Sequence, residues 1–325
     1  MAEITASGKK RLVLVTGRAH PQLAIDIAAE LGADLVHTDA RTFASSELYA
    51  RYDESVRGAD AFVIQSHTRP INEWLMEQLI MVDAMKRASA KRITVVAPYY
   101  PYARQDKKGR GREPISARLV ADLFKAAGAD RIMSVDLHAA QIQGFFDGPV
   151  DHLFAMPVLL EHFQKKLDPA TLTVVSPDMG RVKVADVWSD KLGAPLAIIH
   201  KRRDPMVANK ITVHEIVGEV KGRVCLLVDD LIDTGSTIVK ASEALKAAGA
   251  LGVVVAATHA VFSDPASTIL QSEFIDSVVV TDTLPIPEDK RFPTLTILPI
   301  APLIASAIHE VFSDGSVTSM FDGAA

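Results

Sequence analysis

At 325 residues, with 48% hydrophobic and 23% charged side chains, the chain has the composition of a soluble globular protein and length for about two domains. A formal net charge of -5 gives no electrostatic case for nucleic acid or an anionic membrane as the main partner, so a small anionic ligand must find basic groups locally. The single cysteine, Cys225, lies in the apolar run RVCLLV and reads as a buried, inert thiol; no disulfide framework exists, which fits a reducing cytosol.

In chain order, Lys9, Lys10 and Arg11 precede LVLVT (12–16), an apolar run too short for a secretory leader and closed by Gly17, so it reads as a first strand. Apolar residues at helical spacing follow over 22–31. The same alternation continues with strand AFVIQS (61–66), helix 72–88, strand RITVVAP (92–98), helix 115–127 and strand RIMSVDL (131–137). Beyond these come TLTVVSP (171–177), LAIIH (196–200), RVCLLVD (223–229), helix 238–248, GVVVAAT (252–258) and SVVVT (277–281). Continuous rather than alternating apolar runs point to buried parallel strands, and strand and helix in succession imply an open α/β sheet. The apolar stretch 294–308 is too short to cross a bilayer and contains Pro299 and Pro302. A cytoplasmic location, without membrane or nucleic-acid partner, is expected.

LFKAAGA (123–129) leads into a strand ending near His138, and ALKAAGA (244–250) into one ending near His259; Gly128 and Gly249, like the two histidines, lie 121 positions apart. Arg92 and Arg223 lie 131 apart, so the first copy would carry its excess in the loop after Pro98. The repeat implies internal duplication, although helix, Ala-Ala-Gly and strand is also a common joint. The boundary is placed near residue 150, giving an α/β domain over 1–150 and a second over 151–325, with 303–325 expected to pack back on the N-terminal half.

The segment VDDLIDTGST (228–237) carries the plainest chemistry. A strand ends in Asp229 and Asp230, Asp233 follows, and Thr234, Gly235, Ser236 and Thr237 open a helix. Ligands bind at the carboxyl ends of strands in open α/β sheets, and a helix start favours an anion. The adjoining carboxylates suit sugar hydroxyls or a hydrated magnesium better than a bare triphosphate, so a sugar phosphate fits best. An ordinary acidic turn with a helix cap is the plainer alternative. No Walker A or GxGxxG pattern occurs.

Four further places carry weaker signals. In PYYPYARQDKKGRGRE (98–113), Arg104 and Gln105 after the tyrosines suit an anion beside a base, although a solvated basic loop reads equally well. His138, after Asp136 and Leu137, and Asp178, after TLTVVSP, stand at strand ends where they could share a divalent ion with substrate phosphates; a capping histidine is the alternative. Lys201, Arg202 and Arg203 follow LAIIH, on a loop that could close over a transferring phosphoryl group or simply form a surface turn.

Together these segments resemble ribose-phosphate diphosphokinases of the phosphate-activated bacterial class. The motifs that carry the resemblance are GRAHPQLA (17–24), PYARQDKK (101–108), REPISARL (112–119), DLHAAQIQGFF (136–146), SPDMG (176–180), HKRR (200–203), VDDLIDTGST, VTDTLPI (280–286) and GSVTSMF (315–321). The resemblance implies two phosphoribosyltransferase-like domains, each a mainly parallel sheet flanked by helices, and magnesium-dependent transfer of the diphosphoryl group of ATP to the C1 hydroxyl of ribose 5-phosphate. It implies that Asp229 holds the ribose hydroxyls, that Asp233, Thr234, Gly235, Ser236 and Thr237 hold the 5-phosphate, and that Arg104 and Gln105 contact ATP. His138 and Asp178 would belong to the magnesium site, and Lys201 and Arg203 would stabilise the diphosphoryl group in flight, with Arg203 also on the sugar phosphate. A neighbour's segment matching Phe43, Ser45, Ser46 and Glu47 would contact adenine. A homohexamer, with phosphate or ADP as regulator between subunits near 316–321, is also implied.

The chain departs from the family pattern at Ser45 and Ser46, where a Gly tolerates φ above zero more readily than Ser46, and at Ser236, where Gly is common. Two other functions share parts of the pattern. A non-catalytic regulatory paralogue would keep the fold, and a phosphoribosyltransferase would share the DDxxDTG loop without explaining DLHAAQIQGFF or HKRR.

Overall fold

The computed structural model describes residues 10–203 and 211–321, and at 201–203 and 211–214 the course of the backbone only. The chain forms two compact units, one running to Leu153 and resuming at Ala301, the other Phe154–Ile300.

The first unit opens with β1 (Leu12–Thr16) and α1 (Pro21–Leu31). Pro21 sits in the first turn, where an N–H is not needed, and Leu23, Ala24, Ile27 and Ala28 form the buried stripe of α1. A hairpin of β2 (Thr38–Thr42) and β3 (Leu48–Tyr52) follows, then β4 (Asp60–Ile64), α2 (Ile71–Arg87), β5 (Arg92–Val96), α3 (Ser116–Ala127), β6 (Arg131–Val135) and β7 (Val150–Leu153). Five strands make one parallel sheet in the order β1-β4-β5-β6-β7, and the hairpin forms a sheet of its own. All five residues of β4 are buried, which explains its unbroken apolar run. Val13, Val63, Val95 and Ile132 share a core with Met81 and Met85 of α2 and Val120 and Phe124 of α3.

The second unit contains α4 (Met156–Gln164), β8 (Leu172–Ser176), α5 (Val182–Leu192), β9 (Leu196–Arg203), β10 (Ile211–Val217), β11 (Val224–Ile232), α6 (Ser236–Ala247), β12 (Gly252–Ala260), α7 (Ala266–Ile269), β13 (Ser277–Thr281) and β14 (Leu295–Leu298). The sheet runs β10-β9-β8-β11-β12-β13-β14, and β10 alone in it is antiparallel to its neighbour. Leu227, Val255 and Val278 pack with Ile238, Ala241 and Leu245 of α6. The last helix, α8 (Ala301–Phe312), belongs to the first unit and lies against α1. Behind it, Asp314 pairs with Lys10 and with Arg92, the latter at 2.9 Å.

The sequence repeat maps onto matching places. From β5 through α3 to β6 and β7, and from β11 through α6 to β12 and β13, chain order and neighbour order agree. The match stops on the other side of each sheet, where the strand beside β4 is the earlier β1 and the strand beside β8 is the later β9.

Three expectations change. The strand expected at 196–200 does not stop before the basic triplet; β9 continues through Lys201–Arg203 because β10 pairs along it, Glu215 opposite His200. The triplet therefore lies on a strand, not a loop. Likewise β11 does not end at the two acids, since Leu231 and Ile232 pair with His259 and Ala260. Finally, α6 begins at Ser236 rather than at 238, which leaves Asp233, Thr234 and Gly235 as the turn between β11 and the helix.

Candidate active site

At the carboxyl end of β11 the two acids are held by one guanidinium. Arg181 places Nη2 2.5 Å from Asp230 Oδ2 and Nε 3.4 Å from Asp229 Oδ1, and the Asp230 N–H donates to Asp229 Oδ1 at 2.9 Å. Burial first, and the neighbouring Asp230 charge second, push the Asp229 carboxyl above the usual carboxylate range, while Arg181 pulls it down. Arg181 is aimed by the turn after β8. Asp178 Oδ1 accepts the Gly180 N–H and the Asp178 carbonyl accepts the Ser176 hydroxyl, both at 2.8 Å, so Asp178 shapes the turn that delivers Arg181.

The turn after β11 is built to expose a helix start. Gly235 has φ +76°, a conformation that calls for glycine, and a Cβ there would stand 3.3 Å from Leu270 Cγ, a tight contact. The first bond of α6 runs from the Val239 N–H to the Gly235 carbonyl at 3.0 Å, and the N-cap residue, Gly235, supplies no side-chain cap. Its first-turn amides therefore have no acceptor within the helix, which is the condition for an anion seat. Thr234, Ser236 and Thr237 are exposed there, with the Thr234 and Ser236 hydroxyls 3.4 Å apart. Asp229, Asp233 and Thr234–Thr237 are thus brought together, with Asp178 joined to them through Arg181.

In the first unit, the loop after β5 is folded against its own helix and against the segment after β6. The Tyr100 hydroxyl donates to the Ala117 carbonyl at 2.9 Å, the Ala117 N–H to the Gln105 carbonyl at 3.2 Å, and the Ser116 hydroxyl to Gln105 Oε1 at 2.6 Å. Buried Asp106 accepts from Gln141, three residues beyond His138. Arg104 and Gln105 are left exposed on this fixed loop. His138 is half-buried after Asp136, whose φ is +39°, and the Leu137 N–H between them donates to His152 Nε2 at 2.9 Å. Its partner in the repeat, His259, is buried with Nδ1 2.8 Å from the Thr283 hydroxyl, so that position is a satisfied core histidine.

Phe43–Glu47 is the tip of the β2–β3 hairpin. The Phe43 N–H donates to the Glu47 carbonyl at 2.8 Å and the Ser45 hydroxyl to Glu47 Oε2 at 2.8 Å. Ser46 takes φ +69°, the left-handed conformation in which glycine is less strained, and Phe43 is 45% exposed. The side chains of Lys201, Arg202 and Arg203 lie outside the described residues.

The family model for the N-terminal domain of ribose phosphate pyrophosphokinase matches residues 12–128, and the model for the phosphoribosyl synthetase-associated domain matches 201–322. The ribose-phosphate pyrophosphokinase of Streptomyces avermitilis is 62% identical over 322 residues, covering 99% of each chain. The chain belongs to the ribose-phosphate pyrophosphokinase family. The Mycobacterium bovis ribose-phosphate pyrophosphokinase is 58% identical over 324 residues, again 99% of each chain. The crystal structure of phosphoribosylpyrophosphate synthetase from Mycobacterium smegmatis superimposes with a TM-score of 0.88 at 58% identity, over 94% of this chain and all of that one. The fold is accordingly that of the ribose-phosphate pyrophosphokinases, with two phosphoribosyltransferase-like units.

Against that frame, sequence reasoning missed Arg181, Asp106 and His152. Arg181 offered no signal, since an arginine at a helix start reads as solvated. Asp106 could have been noticed as an acid embedded in a basic loop. His152, on β7, lay in a strand that was not anticipated.

Proposed function

We propose that the chain transfers the diphosphoryl group of ATP to the C1 hydroxyl of ribose 5-phosphate, giving 5-phosphoribosyl 1-diphosphate and AMP. The observation that carries this reading is the start of α6, which follows the Asp233–Gly235 turn after the strand that holds Asp229 and Asp230 and has a glycine at its N-cap, an anion seat close in the chain to hydroxyl-binding carboxylates. Asp233–Thr237 hold the 5-phosphate and Asp229 the ribose hydroxyls. Arg104 and Gln105 hold ATP, supported by their exposure on a loop pinned through Asp106 and Ser116.

Magnesium is the implied cofactor. Among the described residues no three His, Cys, Asp or Glu side chains cluster as a metal cage, and magnesium held by one or two side chains, waters and substrate phosphates needs none. His138 and Asp178 are the residues we assign as those that would hold it, and the chemistry it would supply there is neutralisation of phosphate charge. The ribose C1 oxygen attacks the β-phosphorus in line, the bond from that phosphorus to the oxygen bridging it to the α-phosphorus breaks and AMP leaves, while Lys201 and Arg203 stabilise the diphosphoryl group in flight. Arg203 also contacts the sugar phosphate. Phe43, Ser45, Ser46 and Glu47 meet the adenine of a neighbouring subunit in a homohexamer, phosphate or ADP acts as regulator, and the enzyme works in the cytoplasm. No helix among the described residues is long and apolar enough to cross a membrane.

The test is an assay of AMP formation by the purified chain with ATP, ribose 5-phosphate and magnesium, run across phosphate and ADP concentrations. AMP formed in proportion to ribose 5-phosphate supports the reading, and its absence at every phosphate concentration contradicts it.

A further inference from the structure

Among the described residues the β2–β3 hairpin is a two-stranded sheet without hydrogen-bonded strands on either side, and none of its ten strand residues is fully buried. Such a hairpin is marginal by itself, so its position depends on side-chain anchors to the body of the unit. At the far end from the tip, the Tyr52 hydroxyl donates to the Met81 carbonyl of α2 at 2.7 Å. Beside the tip, Arg18 Nη2 donates to the Thr42 hydroxyl at 3.0 Å, one residue before Phe43.

Arg18 is itself held on a buried base. Its Nε lies 2.6 Å from Glu77 Oε2 and its backbone N–H donates to Glu77 Oε1 at 2.7 Å, while Gln65 Nε2 donates to the same oxygen at 2.8 Å. Glu77 is 1% exposed, so its charge requires these donors. The Ala19 N–H returns to Gln65 Oε1 at 3.2 Å, and a Cβ on Gly17 would collide with that Gln65 amide at 2.3 Å, which fixes the strap around Arg18. The guanidinium also lies 5.8 Å from the Trp74 ring centre. A planar fork with one arm on Glu77 and another on Thr42 sets an angle as well as a distance, which an ammonium cannot. On the hairpin, Arg41 lies 4.8 Å over Tyr49 and 5.7 Å over Phe43, and Phe43 meets Tyr49 edge-on at 5.9 Å. A shift at Thr42 is therefore carried to the Phe43 ring.

We propose that Arg18 is a positioning residue for nucleotide binding: it ties the hairpin tip that presents Phe43 to the buried Glu77 of the core. This rests on the reading of the Phe43 segment as an adenine contact. Thr42→Val removes the acceptor and leaves the Arg18–Glu77 pair intact; Arg18→Lys keeps a positive charge for Glu77 and loses the fork. In the assembled enzyme, each variant should raise the KM for ATP about tenfold, the scale of one misdirected charge-assisted contact. The KM for ribose 5-phosphate and the melting temperature of Thr42→Val should stay at wild-type values. The double variant should be no worse than Arg18→Lys alone, because both remove one interaction. Phe43→Ala is the control. If it raises the KM for ATP while Thr42→Val and Arg18→Lys do not, the brace is refuted and the adenine reading stands. If Phe43→Ala has no effect, both fall. Equal changes in both KM values, or effects that multiply in the double variant, also overturn the proposal.

Discussion

Burial beside Asp230 lets Asp229 keep its proton to higher pH in the folded protein than in the unfolded chain. The folded state then binds more protons, so this contribution to stability is complete below the ordinary carboxylate range and is lost as pH rises through the folded titration. Asp229→Asn removes the titrating group without removing its volume. Thermal melts should show the variant matching wild type near about pH 3 and exceeding it by a margin that grows up to about pH 8, by about 2–4 °C for each kcal/mol regained. Identical pH slopes for the two proteins would show that Asp229 is not raised. Lys201 has the opposite profile, since its proposed work is confined to the transferring group. Lys201→Ala should lower kcat by about 10²–10³ with both KM values little changed, and near-normal turnover in steady-state kinetics would remove it from the mechanism. The places of His138 and Asp178 just beyond β6 and β8 could be read from the sequence because each follows a continuous apolar run, whereas Asp229 lies within β11 and not at its end. Arg181 could not be read this way, because its meaning comes from two carboxylates about fifty residues further along the chain.

At the scale of elements, the turn between β11 and α6 is the piece whose geometry admits least change. Gly235→Ala places a Cβ at φ +76° and against Leu270, which should cost about 1–3 kcal/mol in chemical denaturation. The same variant should weaken binding of ribose 5-phosphate more than ATP, as the helix start tilts. A stability unchanged within error would mean that the turn relaxes into a different shape. The strands that the sequence announced were those buried on both faces, such as β4 and β8, where every residue is buried and the apolar run is continuous. The β2–β3 hairpin, TDART and LYARY, has no fully buried residue and interrupts its apolar side chains with Thr, Asp and Arg, so no continuous apolar run marks it. The extension of β9 was hidden for a related reason, since a basic triplet reads as a turn until the strand opposite supplies its backbone partners.

For the whole molecule, the central proposal divides the site's work among sugar, nucleotide and adenine-contacting segments, the last supplied by a neighbouring subunit. Specific activity should therefore fall on dilution in step with the oligomeric fraction, followed by mass photometry alongside the assay. Constant specific activity in a monomeric sample would place a complete site in one chain. The repeat was legible as far as β5–α3–β6 and β11–α6–β12, where the same helix-to-strand joint recurs. The different order on the other side of each sheet was not, because strand neighbours depend on crossovers that local pattern does not encode. The most direct measurement follows the β-phosphorus. With ATP labelled at that position, ribose 5-phosphate, magnesium and the purified chain alone, label should appear in a diphosphorylated sugar with one AMP formed per label transferred. Label recovered in ADP, free diphosphate or inorganic phosphate, with no labelled sugar, would contradict diphosphoryl transfer to C1.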